Sequence, residues 1–257
     1  MNRTADDDGV RVGATATAFE IVQALKELDG AGVSAVARHI DTPKTTVFDH
    51  LKTLEELGYV TTAGDEYRIG AGFLELGGYA RNQMTVFEVG KPQVDTLAGK
   101  TDQHANLMIE EHGVGVFLYT AAGENTVRLD TYAGRQVHLQ TTALGKSILA
   151  YTPRDWVEAI LNRHGMPAIT DRTITDREEL FEELASIRER GYATDKEERV
   201  NGMWCIGAPI TNSDNEAVGA VSVSAPKNQV QGERFRETLP NQVQGTANVI
   251  EVNLTYS

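Results

Sequence analysis

The stretch that decides the fold is Thr42-Pro-Lys-Thr-Thr-Val-Phe-Asp-His-Leu-Lys-Thr-Leu-Glu-Glu-Leu-Gly58. Val47, Leu51, Leu54 and Leu57 recur at helical spacing and predict one buried stripe. Thr42 is placed to cap this helix, with Pro43 at the first helical position, where its missing N–H costs nothing. Gly58 is suited to end it. Beyond Gly58 the period changes, and Tyr59 to Thr62 and Glu66 to Ile69 read as two strands around the tip Ala63-Gly64-Asp65. Working upstream, Val33 to Ile40 predicts a short helix opening with Ser34 as cap, and Ala16 to Leu28 a longer one stopped by Asp29-Gly30. Three helices, a tight turn between the second and third, and a hairpin directly after describe a winged helix-turn-helix over residues 14–71.

Downstream, residues 72–90 are expected to link the two domains, with a linker helix over roughly Gly72 to Arg81. A second helix is expected from about Val86 to Gly99, with Pro92 within its first two turns if it starts near Lys91. Residues 91–257 then alternate. Strands are expected at His104 to Ile109, Gly115 to Thr120 and Val127 to Tyr132. Helices are expected at Leu144 to Tyr151, at Pro153 to His164 capped by Thr152, and at Asp176 to Arg190 with Thr175 and Glu178 spaced as a capping box. Two more strands, Met203 to Ile210 and Ala217 to Ser224, precede a last helix from Pro240 to Leu254. Strands, then helices, then strands make an α+β domain with a largely antiparallel sheet.

Composition narrows the classes. A single cysteine, Cys205, excludes a disulfide scaffold, and 40% hydrophobic residues in 257 supply a packed core. The longest apolar runs, such as Ala217 to Val223, fall far short of the roughly 20 residues of a membrane helix. Residues 1–13, with Asp6-Asp7-Asp8, read as a mobile arm and not as a signal peptide, so a cytoplasmic protein without membrane contact is expected. The formal charge of −13 would repel phosphates and by itself argues against nucleic acid. Lysine supplies only 8 of the 24 basic residues, and acidity with few lysines suggests a halophilic protein, because the Debye length falls to about 3 Å at 1 M salt.

The motifs outweigh that charge. Thr42-Pro-Lys-Thr-Thr-Val-Phe, Leu51 to Val60, Tyr67-Arg-Ile-Gly, Ala143-Leu-Gly-Lys-Ser-Ile-Leu-Ala, Arg190-Gly-Tyr, Cys205-Ile-Gly-Ala-Pro-Ile and Gly219-Ala-Val-Ser-Val-Ser-Ala-Pro closely resemble IclR-family transcriptional regulators, in order, over about residues 14–254. The resemblance implies a winged helix that binds a double-stranded DNA operator and a GAF-like C-terminal domain that binds a small-molecule effector. It also implies a homodimer or homotetramer, with no cofactor or metal.

For DNA, the expected contacts lie on the N-terminal half of the third helix, which points at base edges. They are Lys44, Thr45, Thr46, Asp49, His50 and Lys52, joined by Ser34, Thr42 and Arg68. Relatives usually carry arginine where this chain has Asp49, and the wing tip adds Asp65 and Glu66, so phosphate contact is weakened. For the effector, the family pocket carries over to Ala143, Leu144, Gly145, Asp195, Met203, Cys205, Ser222 and Ser224. Alternation puts Ser222 with Ser224, and Met203 with Cys205, on one strand face each. Leu107, Met108, Phe117 and Tyr119 are expected as apolar walls. The first amides of the Leu144 helix favour a carboxylate, so a small organic acid or sugar-derived metabolite fits.

Gly145-Lys146-Ser147 is not a phosphate loop, because residue 140, where its first glycine would stand, is glutamine. Gly70-Ala71-Gly72 lacks the third glycine of a dinucleotide fingerprint. His104, His112, His138 and His164 are scattered, and no catalytic or metal-ligating cluster emerges. A small-molecule enzyme, or an architectural protein with a degenerate winged helix, remain the alternatives.

Overall fold

The computed structural model describes residues 12–124, 126 and 129–256. Most of the expected arm, residues 1–11, lies outside them. Within the described residues the chain divides into two compact units between Ala80 and Arg81.

The first unit holds α1 (Gly13–Glu27), α2 (Val33–His39), α3 (Lys44–Glu56), β1 (Val60–Ala63) and β2 (Glu66–Ile69). The strands pair antiparallel from Val60↔Ile69 to Ala63↔Glu66, and Ala31 bridges to Tyr67 ahead of α2. One apolar residue per turn meets at the centre: Ile21, Leu25, Val36, Val47, Leu51, Val60 and Tyr67. Truncating a fully buried leucine such as Leu51 to alanine should cost about 2–5 kcal/mol. Gly58, at φ +80°, takes the left-handed conformation that ends α3.

Three local expectations are corrected. Thr42 does not cap α3: its hydroxyl donates to the Ile40 carbonyl, and Pro43 itself stands at the N-cap in extended backbone. Ser34 lies inside α2, whose N-cap is Gly32, and its carbonyl accepts from Arg38. Leu57, at the C-cap, is 64% exposed, so the buried stripe ends a turn earlier.

Both helices expected downstream form, as α4 (Gly72–Asn82) and α5 (Thr85–Thr101). No residue of α4 is buried. α5 starts earlier than Lys91, so Pro92 lies two turns inside it and deletes one backbone hydrogen bond. Burial of Phe87, Val94, Leu97 and Ala98 along one face offsets that loss.

The second unit is a six-stranded antiparallel sheet ordered β5-β4-β3-β8-β7-β6. The strands are β3 (His104–Glu111), β4 (Val114–Ala121), β5 (Gln136–Val137), β6 (Ala193–Lys196), β7 (Met203–Thr211) and β8 (Ala217–Pro226). α5 and α9 (Leu239–Thr255) cover one face, burying Leu107, Ile206, Val221, Val223 and Ile250. α6 (Ala143–Ala150), α7 (Arg154–His164) and α8 (Arg177–Arg190) form the layer on the other, around Met108, Phe117, Ile148, Leu180 and Leu184. Of the strand expected at 127–132, residues 127 and 128 lie outside the described residues and 129–132 are not strand. The edge is β5, paired through Gly115↔Val137 and Val116↔Gln136. β6, too short and polar to signal itself, was not anticipated.

Two caps also move. Thr152 donates to the Ile148 carbonyl and leaves Pro153 at the N-cap of α7. Asp176, not Thr175, caps α8 by accepting from the Glu179 amide at 3.0 Å.

Candidate functional site

On the first unit, α3 presents Lys44, Thr45, Asp49 and Lys52 to solvent, with Thr46 and His50 half-buried at its margins. Ser34 is exposed on α2, and Thr42 is half-buried in the turn between the helices. The electrostatics are mixed. Lys52 donates to Glu55 at 2.7 Å, and Glu55 also accepts from the Thr62 hydroxyl of the wing, so this lysine is already paired. Arg68 lies 3.2 Å from Glu66 with its stem against Gly30, where a Cβ would approach its Cγ to 2.9 Å. Among the described residues Lys44 enters no such pair, which leaves it the most available cation on the recognition helix.

On the second unit, strand register builds the site. Asp195 pairs with Cys205, and Cys205 with Ser224, so three side chains from β6, β7 and β8 share one rung. Two residues along, Gly207, Ser222 and Asn106 make the next rung on the same face. The first turn of α6 lies across these rungs. It can come so close because position 207 is glycine: a Cβ there would meet the Ala143 carbonyl carbon at 2.8 Å and the Leu144 nitrogen at 3.0 Å. Between helix and sheet is a cavity of about 30 Å³ for the centre of a water molecule, large enough for little more than one water as it stands. Asp195, Met203, Cys205, Ser222, Ser224, Ala143 and Leu144 line it.

Its polar groups are poised toward a ligand. Asn106 donates to the hydroxyls of Ser222 and Ser224, each at 3.2 Å, which leaves the Ser222 proton to be donated elsewhere. Among the described residues the carbonyl oxygen of Asn106 and the Thr131 hydroxyl are buried without a hydrogen-bond partner. Asp195 accepts from the Glu198 amide at 2.7 Å, yet burial, reinforced by the Glu198 charge, pushes its carboxyl up to about 7. Near neutral pH it can therefore donate to a ligand oxygen or accept from a hydroxyl. Burial and the neighbouring Asp195 likewise push the Cys205 thiol well above its ordinary range, so it is no ready thiolate. The N-terminus of α6 supplies a partial positive charge, and Thr142 caps it by accepting from the Gly145 amide at 2.9 Å.

Both units match known sequence families. Residues 14–64 match the IclR helix-turn-helix domain, and residues 79–252 match the bacterial transcriptional regulator IclR C-terminal domain. The chain belongs to the IclR family. It is 34% identical over 250 residues to the "Probable HTH-type transcriptional regulator ArcR" of Halobacterium salinarum, covering 95% of this chain and 94% of that one. It is 29% identical to the HTH-type transcriptional regulator KdgR of Escherichia coli, over 92% and 90% of the two chains. The crystal structure of Thermotoga maritima IclR superposes with a TM-score of 0.75 at 27% identity, covering 95% of this chain and 99% of that one. This IclR-family chain is accordingly a transcriptional regulator with an N-terminal helix-turn-helix DNA-binding domain and a C-terminal effector-binding domain.

Three of the expected effector-site residues do not reach the cavity walls of this IclR regulator. Met108 is fully buried in the core beneath α6. Gly145 packs the other way, where a Cβ would meet the Leu139 carbonyl oxygen at 2.1 Å. Tyr119 lies on the opposite face and donates to Asp95 of α5 at 2.7 Å. A bulge explains this: the β3–β4 register shifts between Leu107/Tyr119 and Met108/Phe117, so an extra residue turns Phe117 toward α6 and Tyr119 toward α5. Leu107 also faces α5, and only Phe117 of the expected apolar walls lines the cavity. Leu129, Thr131, Thr142, Arg199 and Val200, which sequence reasoning missed, complete the lining. They come from irregular segments with no periodic signal. Among the described residues no cluster of His, Cys, Asp or Glu forms a metal site, and no helix is long and apolar enough to cross a membrane.

Proposed function

We propose that this regulator reads an operator through α3, with Lys44, Thr45, Thr46, Asp49 and His50 at the bases and Ser34, Thr42, Lys52 and Arg68 toward the backbone. A small organic acid or sugar-derived metabolite in the α6 cavity modulates that binding. It acts in the cytoplasm as a regulator and not as an enzyme, and as a homodimer or homotetramer, since a single winged helix covers too little DNA for operator specificity. The observation that carries the effector reading is the rung Asp195, Cys205 and Ser224 facing the first turn of α6 across a cavity. Hydroxyl, thiol and carboxyl groups on one face, next to a helix N-terminus, match a ligand with hydroxyl and carboxylate groups.

The architectural alternative draws on the exposed Asp49 and on Lys52 being tied to Glu55. In a salty interior, counterion release contributes little, and specificity would rest on direct readout, including Asp49 to cytosine N4. Chromatin immunoprecipitation with sequencing tests the reading. Discrete peaks beside genes of one catabolic pathway are expected, and metabolites of that pathway should raise the melting temperature. Uniform DNA occupancy would favour the architectural role and remove this one.

A further inference from the structure

Among the described residues Arg199 is the one cation lining the α6 cavity, and its position is unusual. Its side chain is only 13% exposed, and one nitrogen, Nη2, donates to both oxygens of Asp130 at 2.9 Å, while Asp130 itself is 54% exposed. The other wall charge, Asp195, sits deep on β6 and would repel an anion whenever ionised.

Beyond Arg199 lies a second cavity of about 250 Å³ that shares Arg199 and Val200 with the first as walls. Arg135 joins Arg199 there, 3.3 Å from the same Asp130, and the Arg135 Nε is buried without a partner among the described residues. Burial lowers the pKa of His138, which also lines this chamber, so it adds no charge near neutral pH. Two arginines against one aspartate leave the outer chamber with an excess positive charge. The inner chamber offers hydroxyl, thiol and carboxyl groups.

Given the reading of the α6 cavity as the effector site, we infer that Arg199 is the residue that selects acids, and that the carboxylate of a small hydroxy acid replaces Asp130 on its guanidinium. The exchange substitutes one carboxylate for another, so the largely buried arginine is never left unpaired. The exposed partner, Asp130, is the one released to water. The ligand's hydroxyls then point inward to Ser222, Ser224 and Asp195, and Arg135 steadies the outer carboxylate oxygen. Asp130 acts as a built-in competitor that sets the affinity threshold.

Titration calorimetry of the full chain with glycolate, glycerate, gluconate and mandelate, each beside its amide, tests this in wild type and in the Arg199→Gln, Asp130→Asn and Ser222→Ala/Ser224→Ala variants. Arg199→Gln should weaken the best acid by at least about tenfold and leave its amide unchanged, while Asp130→Asn should tighten the acid several-fold. Opposite signs for the two partners of one ion pair are not what loss of a structural bridge would produce. If acid and amide are still discriminated in Arg199→Gln, or if both single variants weaken binding alike, the role of Arg199 is overturned while the cavity reading stands. If the serine variant binds as wild type does, or if no acid binds wild type, the cavity reading falls and takes this inference with it.

Discussion

Lys146 Nζ donates to both carboxylate oxygens of Glu198 at 2.7 Å, with the lysine side chain only 1% exposed. This pair ties α6 to the loop that follows β6, the loop that also carries Arg199. The lysine of Gly145-Lys146-Ser147 thus has a structural partner and no phosphate to bind. Removing one partner of a buried pair strands the other, so Lys146→Met should cost roughly 3–5 kcal/mol in urea unfolding. A Lys146→Met/Glu198→Leu double variant should recover most of that loss. A single variant within about 1 kcal/mol of wild type would show that water reaches the pair.

Asp195 predicts a pH dependence with a definite sign. Its folded value of about 7 exceeds the ordinary 3.8, so between these values the native state holds a proton that the unfolded chain has lost. Stability therefore falls as pH rises through that window, by on the order of 4 kcal/mol. Asp195→Asn, which keeps the acceptor for the Glu198 amide, should flatten the curve and melt above wild type at pH 8. A wild-type melting temperature that climbs steadily from pH 5 to pH 8 relative to the variant would contradict it.

Gly145 is predicted to be intolerant of any side chain. The Leu139 backbone occupies the place of its Cβ at 2.1 to 2.6 Å, and α6 would have to move away. Gly145→Ala should destabilise by about 2 kcal/mol or more, whereas Gly134→Ala, with nothing near its Cβ but with φ +87°, should cost only its backbone strain. Equal melting temperatures for the two variants would count against this packing.

For the DNA face, Lys44→Ala should weaken operator binding by about 1–3 kcal/mol in a gel-shift titration while the melting temperature stays within a degree or two. Lys52→Ala, already neutralised by Glu55, should cost much less. The reverse order would move the contact down the helix.

The −13 charge yields a salt prediction. Self-repulsion is screened as KCl rises, so the melting temperature should increase with salt well beyond the range in which hydrogen-bonded surface pairs such as Lys91–Asp95 weaken. A flat or falling curve would remove the halophilic reading.

The sequence by itself determined the elements whose signal is local. Helical stripes such as Ile21, Leu25, Val47 and Leu51 announce a buried face within a dozen residues, and glycine ends at Gly58 and Gly191 require a left-handed backbone that sequence displays openly. The strand faces of Met203 with Cys205 and Ser222 with Ser224 follow from a period of two, so the inner wall of the cavity was legible. Tertiary structure alone decided the rest, because a register is a relation between strands distant in the chain. The bulge beside Leu118 sent Tyr119 to the α5 face, against the alternation that would have placed it with Phe117. Asp130 and Arg199, 69 residues apart, meet across irregular segments that carry no periodicity, and no property of either residue alone announces the contact. Caps fall between these cases. Thr42 and Thr175 had the chemistry to cap, but which oxygen reaches an amide depends on a backbone angle set by packing, and that choice went to Pro43 and Asp176.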